Sequence, residues 1–169
     1  MVIAARSEAE LASVEREILS AGGRAARAQV DLSRAGGARR VIEAALGSFG
    51  TIDILVNNAA ILHDTEFLDV TEEEWDSVMS VNLRAPFLLS QAALRIMKEK
   101  RAGYIINISS TAALQVPATL TTYGTSKKAL TGLSEALYET AKEHGVKVIV
   151  ICPGMTDTEM LRGSTPGAG

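Results

Sequence analysis

Between Tyr104 and Ile151 the chain reads YIINISSTAALQVPATLTTYGTSKKALTGLSEALYETAKEHGVKVIVI, and this stretch settles the fold class. It opens on a short apolar run, Tyr104–Ile108, and closes on another, Val146–Ile151. Neither alternates cleanly with polar residues, which is the pattern of a strand buried on both faces. Between them Leu130, Leu133, Leu137 and Ala141 recur at helical spacing in a segment from about Tyr123 to His144, and Gly145 stops it. Strand, crossover helix and strand in that order predict parallel neighbours in one sheet.

Working outward, Val2–Ala5, Ala28–Val30 and Ile52–Val56 repeat the strand signal, with helix signals between them. Ser7 can cap a helix whose Leu11, Val14, Ile18 and Leu19 share a face, ending at Gly22-Gly23. Ser33 and Gly50 bracket a second helix with Val41, Ile42, Ala45 and Leu46 inward. Thr71 followed by Glu72-Glu73-Glu74 has the form of a capping box, in which hydroxyl and carboxylate each satisfy an unpaired amide. The helical pattern then runs to about Lys100 but is broken at Pro86, which has no amide hydrogen for the carbonyl of Asn82. Asn82 is therefore expected at a kink with its carbonyl free. The fold class is α/β.

Composition narrows the function classes. A length of 169 residues suits one domain, read as residues 1–162 followed by a flexible tail, Gly163–Gly169. Seventeen Lys+Arg against twenty Asp+Glu give a charge of −3, so there is no basic field for a nucleic acid or an anionic membrane. Apolar runs such as Val148–Cys152 fall far short of the roughly 20 residues that span a bilayer, and Arg6 cuts off the opening run before it resembles a signal peptide. The expected location is the cytoplasm. One cysteine and two histidines cannot make an internal disulfide or a closed zinc site without carboxylates, and no metal site is expected. Cys152 is expected to be packing inside a strand.

Tyr123 and Lys127 lie four apart at a helix start, so both side chains leave one face. A nearby ammonium favours the phenolate of a tyrosine whose reference pKa is about 10. Alone the pair could be an exposed aromatic beside a solvated lysine. Its surroundings carry more. Ser110 follows the strand Tyr104–Ile108, Asn57-Asn58-Ala59-Ala60 follows Ile52–Val56, and Pro153-Gly154 follows Val146–Ile151. The carboxyl ends of parallel strands share one edge, where open sheets bind their ligands.

These motifs together resemble the short-chain dehydrogenase/reductase family, most closely its 3-oxoacyl-carrier-protein reductase and related sugar or alcohol dehydrogenase branches. The matching elements are Asp31 after Ala28–Val30, Asn57-Asn58-Ala59-Ala60, Val81-Asn82, Ile108-Ser109-Ser110, Tyr123-Gly124-Thr125-Ser126-Lys127, and Pro153-Gly154 followed by Thr158. The resemblance implies a Rossmann-like, doubly wound parallel sheet and hydride transfer between a nicotinamide and a small carbonyl compound or secondary alcohol. It implies that Tyr123 exchanges the hydroxyl proton, Ser110 orients the carbonyl, Lys127 holds the nicotinamide ribose, and Asn82 anchors a water through its main chain. Asn57 and Ala59 would line the ribose and nicotinamide side, Asp31 would accept from the adenine amino group, and Thr158, after the Pro153-Gly154 turn, would hold the carboxamide. Asp31 can equally be a lead-in to the Ser33 cap, and Asn57-Asn58 a turn. Arg6 stands where a guanidinium suits a 2′-phosphate, so NADP(H) is favoured, with NAD(H) and a merely solvated arginine as alternatives. The intact parent is expected to be a homodimer or homotetramer.

Family members open with a strand, a glycine-rich turn and a helix that receives the pyrophosphate, and they continue beyond the region of Thr158. The resemblance thus implies truncation at both ends, without the first strand, its glycine-rich turn and the C-terminal strand. That first strand would lie between Val2–Ala5 and Ile52–Val56. The isolated chain is expected to bind cofactor poorly and turn over little or nothing, with direct pairing of those two strands as a rescue. The rival readings are a non-catalytic oligomerisation module and a degenerate remnant of such an enzyme. A serine hydrolase is disfavoured, since no G-x-S-x-G occurs.

Overall fold

A computed structural model describes residues 1–157; Thr158 and the Gly163–Gly169 segment lie outside the described residues. Strands and helices alternate: β1 (Val2–Ala5), α1 (Glu8–Ser20), β2 (Ala26–Gln29), α2 (Gly37–Phe49), β3 (Ile54–Asn57), α3 (Glu72–Met79), α4 (Ala85–Lys100), β4 (Gly103–Ile108), α5 (Thr121–Ala141) and β5 (Val146–Ile151). All strand pairs are parallel, and the architecture is an α/β, Rossmann-like one.

The strands form two sheets, ordered β1-β2 and β3-β4-β5. β1 and β3 share no ladder, so the rescue pairing does not form. What joins the sheets is α2, which packs on β1 and β2 and also on α4. The shared core holds Ile52, Ala93, Met97, Ile105, Ala141 and Val146, with Ile42 and Ala45 of α2 against it.

Burial on both faces does not hold for the larger sheet. Leu55, Ile105 and Val148 stand side by side on the face covered by α4 and α5. Their neighbours along the strands point the other way, and Ile54, Val56, Tyr104, Ile149 and Ile151 are exposed there. Composition marks a residue as able to be buried, whereas coverage depends on what packs over it. Cys152 is likewise exposed, because β5 ends at Ile151.

Helix ends follow the capping rules with two exceptions. Ser7 accepts from the Glu10 amide and Thr71 from that of Glu74, as their types predict. Glu74 completes no box; its carboxylate accepts instead from the buried Thr122 hydroxyl at 3.0 Å and ties α3 to the start of α5. Ser33 does not cap α2. Its amide and hydroxyl both donate to Asp31, and α2 begins after Gly36, whose φ of 82° suits glycine. The break at Pro86 takes the form of a π-helical turn, Ser80–Arg84, with the Ala85 amide bonding the Ser80 carbonyl. The wider turn absorbs the amide that proline lacks and centres on Asn82, where the kink was expected.

Candidate active site

The site begins with α5, whose stripe Tyr123, Ser126, Lys127, Leu130 and Ser134 is buried. Ser109, at the end of β4, donates its hydroxyl to the Lys127 carbonyl at 3.0 Å and lies 3.1 Å from the Thr131 hydroxyl, which fixes the helix against the strand end. Deeper in, Asn107 donates to Ser134 at 2.8 Å and accepts from Asn57 at 2.7 Å, and Asn57 also donates to Ser90 at 3.0 Å. This buried amide-hydroxyl network locks α4 and α5 onto the sheet, since such groups are costly to bury without partners. It commits the Asn57 Nδ2 to the interior, while the buried Oδ1 has no partner among the described residues.

Lys127 is 2% exposed, its Nζ donates to the Ile108 carbonyl at 2.7 Å, and it lies 5.5 Å from the Tyr123 ring centroid. Burial pushes the ammonium down to about 8 from 10.5. The folded protein thus releases this proton near pH 8, while the unfolded chain keeps it until about 10.5. Between those values the unfolded state binds more protons, so stability rises with pH there and is at its lower level below pH 8. Relative to Lys127→Met, wild type should gain on the order of 3 kcal/mol in urea unfolding across that window. Parallel curves for the two proteins would show that the lysine is solvated.

The other expected residues gather at the carboxyl ends of the strands. Ser110 follows β4 and accepts from the Ala112 amide at 3.1 Å; its hydroxyl hydrogen has no acceptor among the described residues. Gly124, next to Tyr123, allows the loop after Ser110 to lie on the first turn of α5, for a Cβ there would meet Val116 at 2.7 Å. Asn82 is fully buried. It accepts from the Ile61 amide and donates to the Ile61 carbonyl, each at 2.9 Å, and donates to Ser126 at 3.0 Å. The turn after β3 is thus pinned to α5, and Ala59 in that turn is exposed. Pro153 and Gly154 follow β5, and the Pro153 carbonyl accepts from the Thr111 amide at 2.9 Å, which holds them beside Ser110.

At the smaller sheet Arg6 follows β1, exposed, and Asp31 follows β2. The Ser33 hydroxyl and amide at 2.6 and 2.9 Å, with Arg34 and Arg6 nearby, hold the Asp31 carboxyl below its ordinary value. Thr158 lies outside the described residues.

The residues missed from the sequence are the supporting ones: Ser90, Asn107, Ser109, Ser126 and Ser134. A signal existed, because Asn107 interrupts an isoleucine run and Ser126, Leu130 and Ser134 repeat every fourth residue.

Comparison with known proteins fits this geometry. The sequence profile of the short chain dehydrogenase family matches residues 1–168. The chain is 35% identical over 142 residues to the 3-oxoacyl-[acyl-carrier-protein] reductase of Chlamydia muridarum; the match covers 84% of this chain and 57% of that protein. A metagenomic short-chain oxidoreductase solved in complex with NADP superposes with a TM-score of 0.86 at 37% identity, over 91% of this chain and 70% of that one. A gluconate 5-dehydrogenase from Burkholderia cenocepacia, solved with NADP and tartrate, superposes with a TM-score of 0.89 at 30% identity, over 99% of this chain and 66% of that one. The residues matched by the family profile take in the strand ends, the π-helical turn and α5 of this chain. By both sequence and structure, the chain belongs to the short-chain dehydrogenase family.

Proposed function

We propose that this chain carries the proton-transfer part of an NAD(P)-dependent oxidoreductase acting on a small carbonyl compound or secondary alcohol. The observation that carries the reading is the buried ammonium of Lys127 beside Tyr123. Only one of its three hydrogens meets an acceptor among the described residues. A buried cation with donors to spare fits further oxygens such as ribose hydroxyls. Asp31 and Arg6 fit the other end of the cofactor, as an acceptor for the adenine amino group and a guanidinium for a 2′-phosphate. We favour NADP(H) over NAD(H) on Arg6, and two structural neighbours were solved with NADP. Asn57, Ala59, Pro153, Gly154 and Thr158 complete the proposed cofactor contacts.

When bound, the nicotinamide supplies or takes the hydride. The chain's own residues answer the charge that this puts on the substrate oxygen. The free hydroxyl hydrogen of Ser110 holds and polarises that oxygen. Tyr123 gives it a proton in reduction and takes one back in oxidation. Lys127 supplies positive charge beside the phenol, and Asn82 keeps the turn after β3 and α5 in register; we assign its main chain the anchoring of a water. Hydride-transfer assays with NADPH and simple ketones or aldehydes test the reading; a protein inert toward all of them, in a form that binds NADPH, would overturn it.

We also propose that the 169-residue chain by itself binds cofactor weakly. Its sheet is interrupted between β1 and β3, where the strand ends must act together on one ligand. A fluorescence titration with NADPH should show weak binding, and tight binding would contradict the proposal. The proposed location is the cytoplasm; no helix among the described residues is long and apolar enough to cross a membrane. Phe87, Leu88 and Tyr138 are exposed on α4 and α5 and support a homodimer or homotetramer of the intact protein. That surface also favours the second reading, an oligomerisation module without catalysis, which predicts self-association with no NADPH oxidation.

A further inference from the structure

The two sheets share no strand pairing, and α2 joins them through apolar packing, which has little directional preference. Among the described residues one hydrogen bond crosses from residues 1–50 to residues 51–157. Arg84 Nη2 donates to the Ser33 carbonyl at 2.5 Å, 51 positions apart in sequence.

Both ends of that bond sit on something else. Ser33 grips the Asp31 carboxylate with its amide and its hydroxyl. The same loop is pressed onto the start of α2, where a Cβ on Gly37 would lie 2.4 Å from the Asp31 carbonyl. Arg84 closes the π-helical turn two residues after Asn82, and Asn82 is bound to both main-chain groups of Ile61 and to Ser126. The chain of contacts therefore runs from Asp31 through Ser33, Arg84 and the Asn82 turn to α5, which carries Tyr123 and Lys127.

We infer that Arg84 is a positioning residue that fixes the span between the Asp31 loop and the Tyr123–Lys127 end, the distance a dinucleotide must bridge. The inference rests on the cofactor reading above for the identity of the ligand, although the tie itself does not. It assigns Arg84 no contact with substrate or cofactor. Its role is geometric, since without it the two sheets are free to shift by the play in the α2–α4 packing.

The test compares wild type, Arg84→Met and Arg84→Lys in the 169-residue chain by NMR, which reads single amides and weak binding alike. In Arg84→Met, the Ser33 and Ile61 amides should exchange about fivefold faster or more, with the β4 amides unchanged, and Arg84→Lys should recover part of the protection. NADPH should bind about fivefold more weakly to Arg84→Met, while 2′,5′-ADP, which occupies only the adenosine end, should bind as it does to wild type. Unchanged exchange at both amides overturns the inference. So does an equal weakening of NADPH and 2′,5′-ADP, which would make Arg84 a local support of the Asp31 loop. If neither molecule shifts any wild-type resonance, the exchange result alone decides the role of Arg84.

Discussion

Tyr123→Phe should lower kcat for carbonyl reduction by roughly 10²–10⁴-fold, the usual share of a positioned acid or base. The clean setting is a chimera in which this chain replaces the matching segment of the metagenomic oxidoreductase, which supplies the remaining part of a full-length fold. The substitution removes one oxygen and leaves the ring. Tyr123 is 9% exposed and is packed beside Lys127, so the phenylalanine keeps the apolar contacts and folding should be retained. The cofactor KM should stay near wild type, because the ring and Lys127 are untouched, and the loss should fall on kcat. A variant that retains more than about a tenth of the rate would remove Tyr123 from the proton-transfer role.

The second large effect is on stability. Met97→Ala should cost about 2–5 kcal/mol in urea unfolding, a large part of the roughly 5–15 kcal/mol typical of a domain. Met97 has no exposed surface and lies in the core with Ile52, Ile105 and Val146. Its thioether fills the space opposite Gly103, where a Cβ would come within 2.5 Å of both Cγ and Sδ. Gly103, on the opposite side, has no side chain to extend into the hole. Met97→Leu, which nearly conserves volume, should cost less than about 1.5 kcal/mol. Equal losses for the two would point to a requirement for sulfur and not to cavity formation.

Much of the fold was legible because its signals are local. Isoleucine and valine runs, glycines such as Gly50 and Gly145, and the hydroxyls of Ser7 and Thr71 act within a few residues of themselves. Pro86 announced the irregular turn at Asn82 for the same reason, through a bond four residues long. What could not be read depends on which of several partners a polar group takes, most of them distant in sequence. Ser33 looked like a cap, yet Asp31 two residues earlier captured both of its donors. Glu74 had the spacing to close its own box, and Thr122, 48 residues away, took its carboxylate. Asn57 belonged to a motif at a strand end, but its burial against Asn107 and Ser90 could be seen only with the sheet and α4 in place. The open side of β3, β4 and β5 was hidden too, because an apolar sequence does not say which of its faces is covered.

The wide turn at Ser80–Arg84 also sets the phase of everything that follows it. An α-helix advances about 100° per residue, so one residue held in excess rotates the downstream side chains by that angle relative to α3. α4 points Leu89, Ala93 and Met97 inward only because that rotation has been made. A substitution that straightened the turn with all of its residues kept would swing this stripe off the interior, whereas a single-residue deletion within the turn would restore regular winding and leave the stripe facing inward. The facing of α4 therefore depends more on the shape of this turn than on its length.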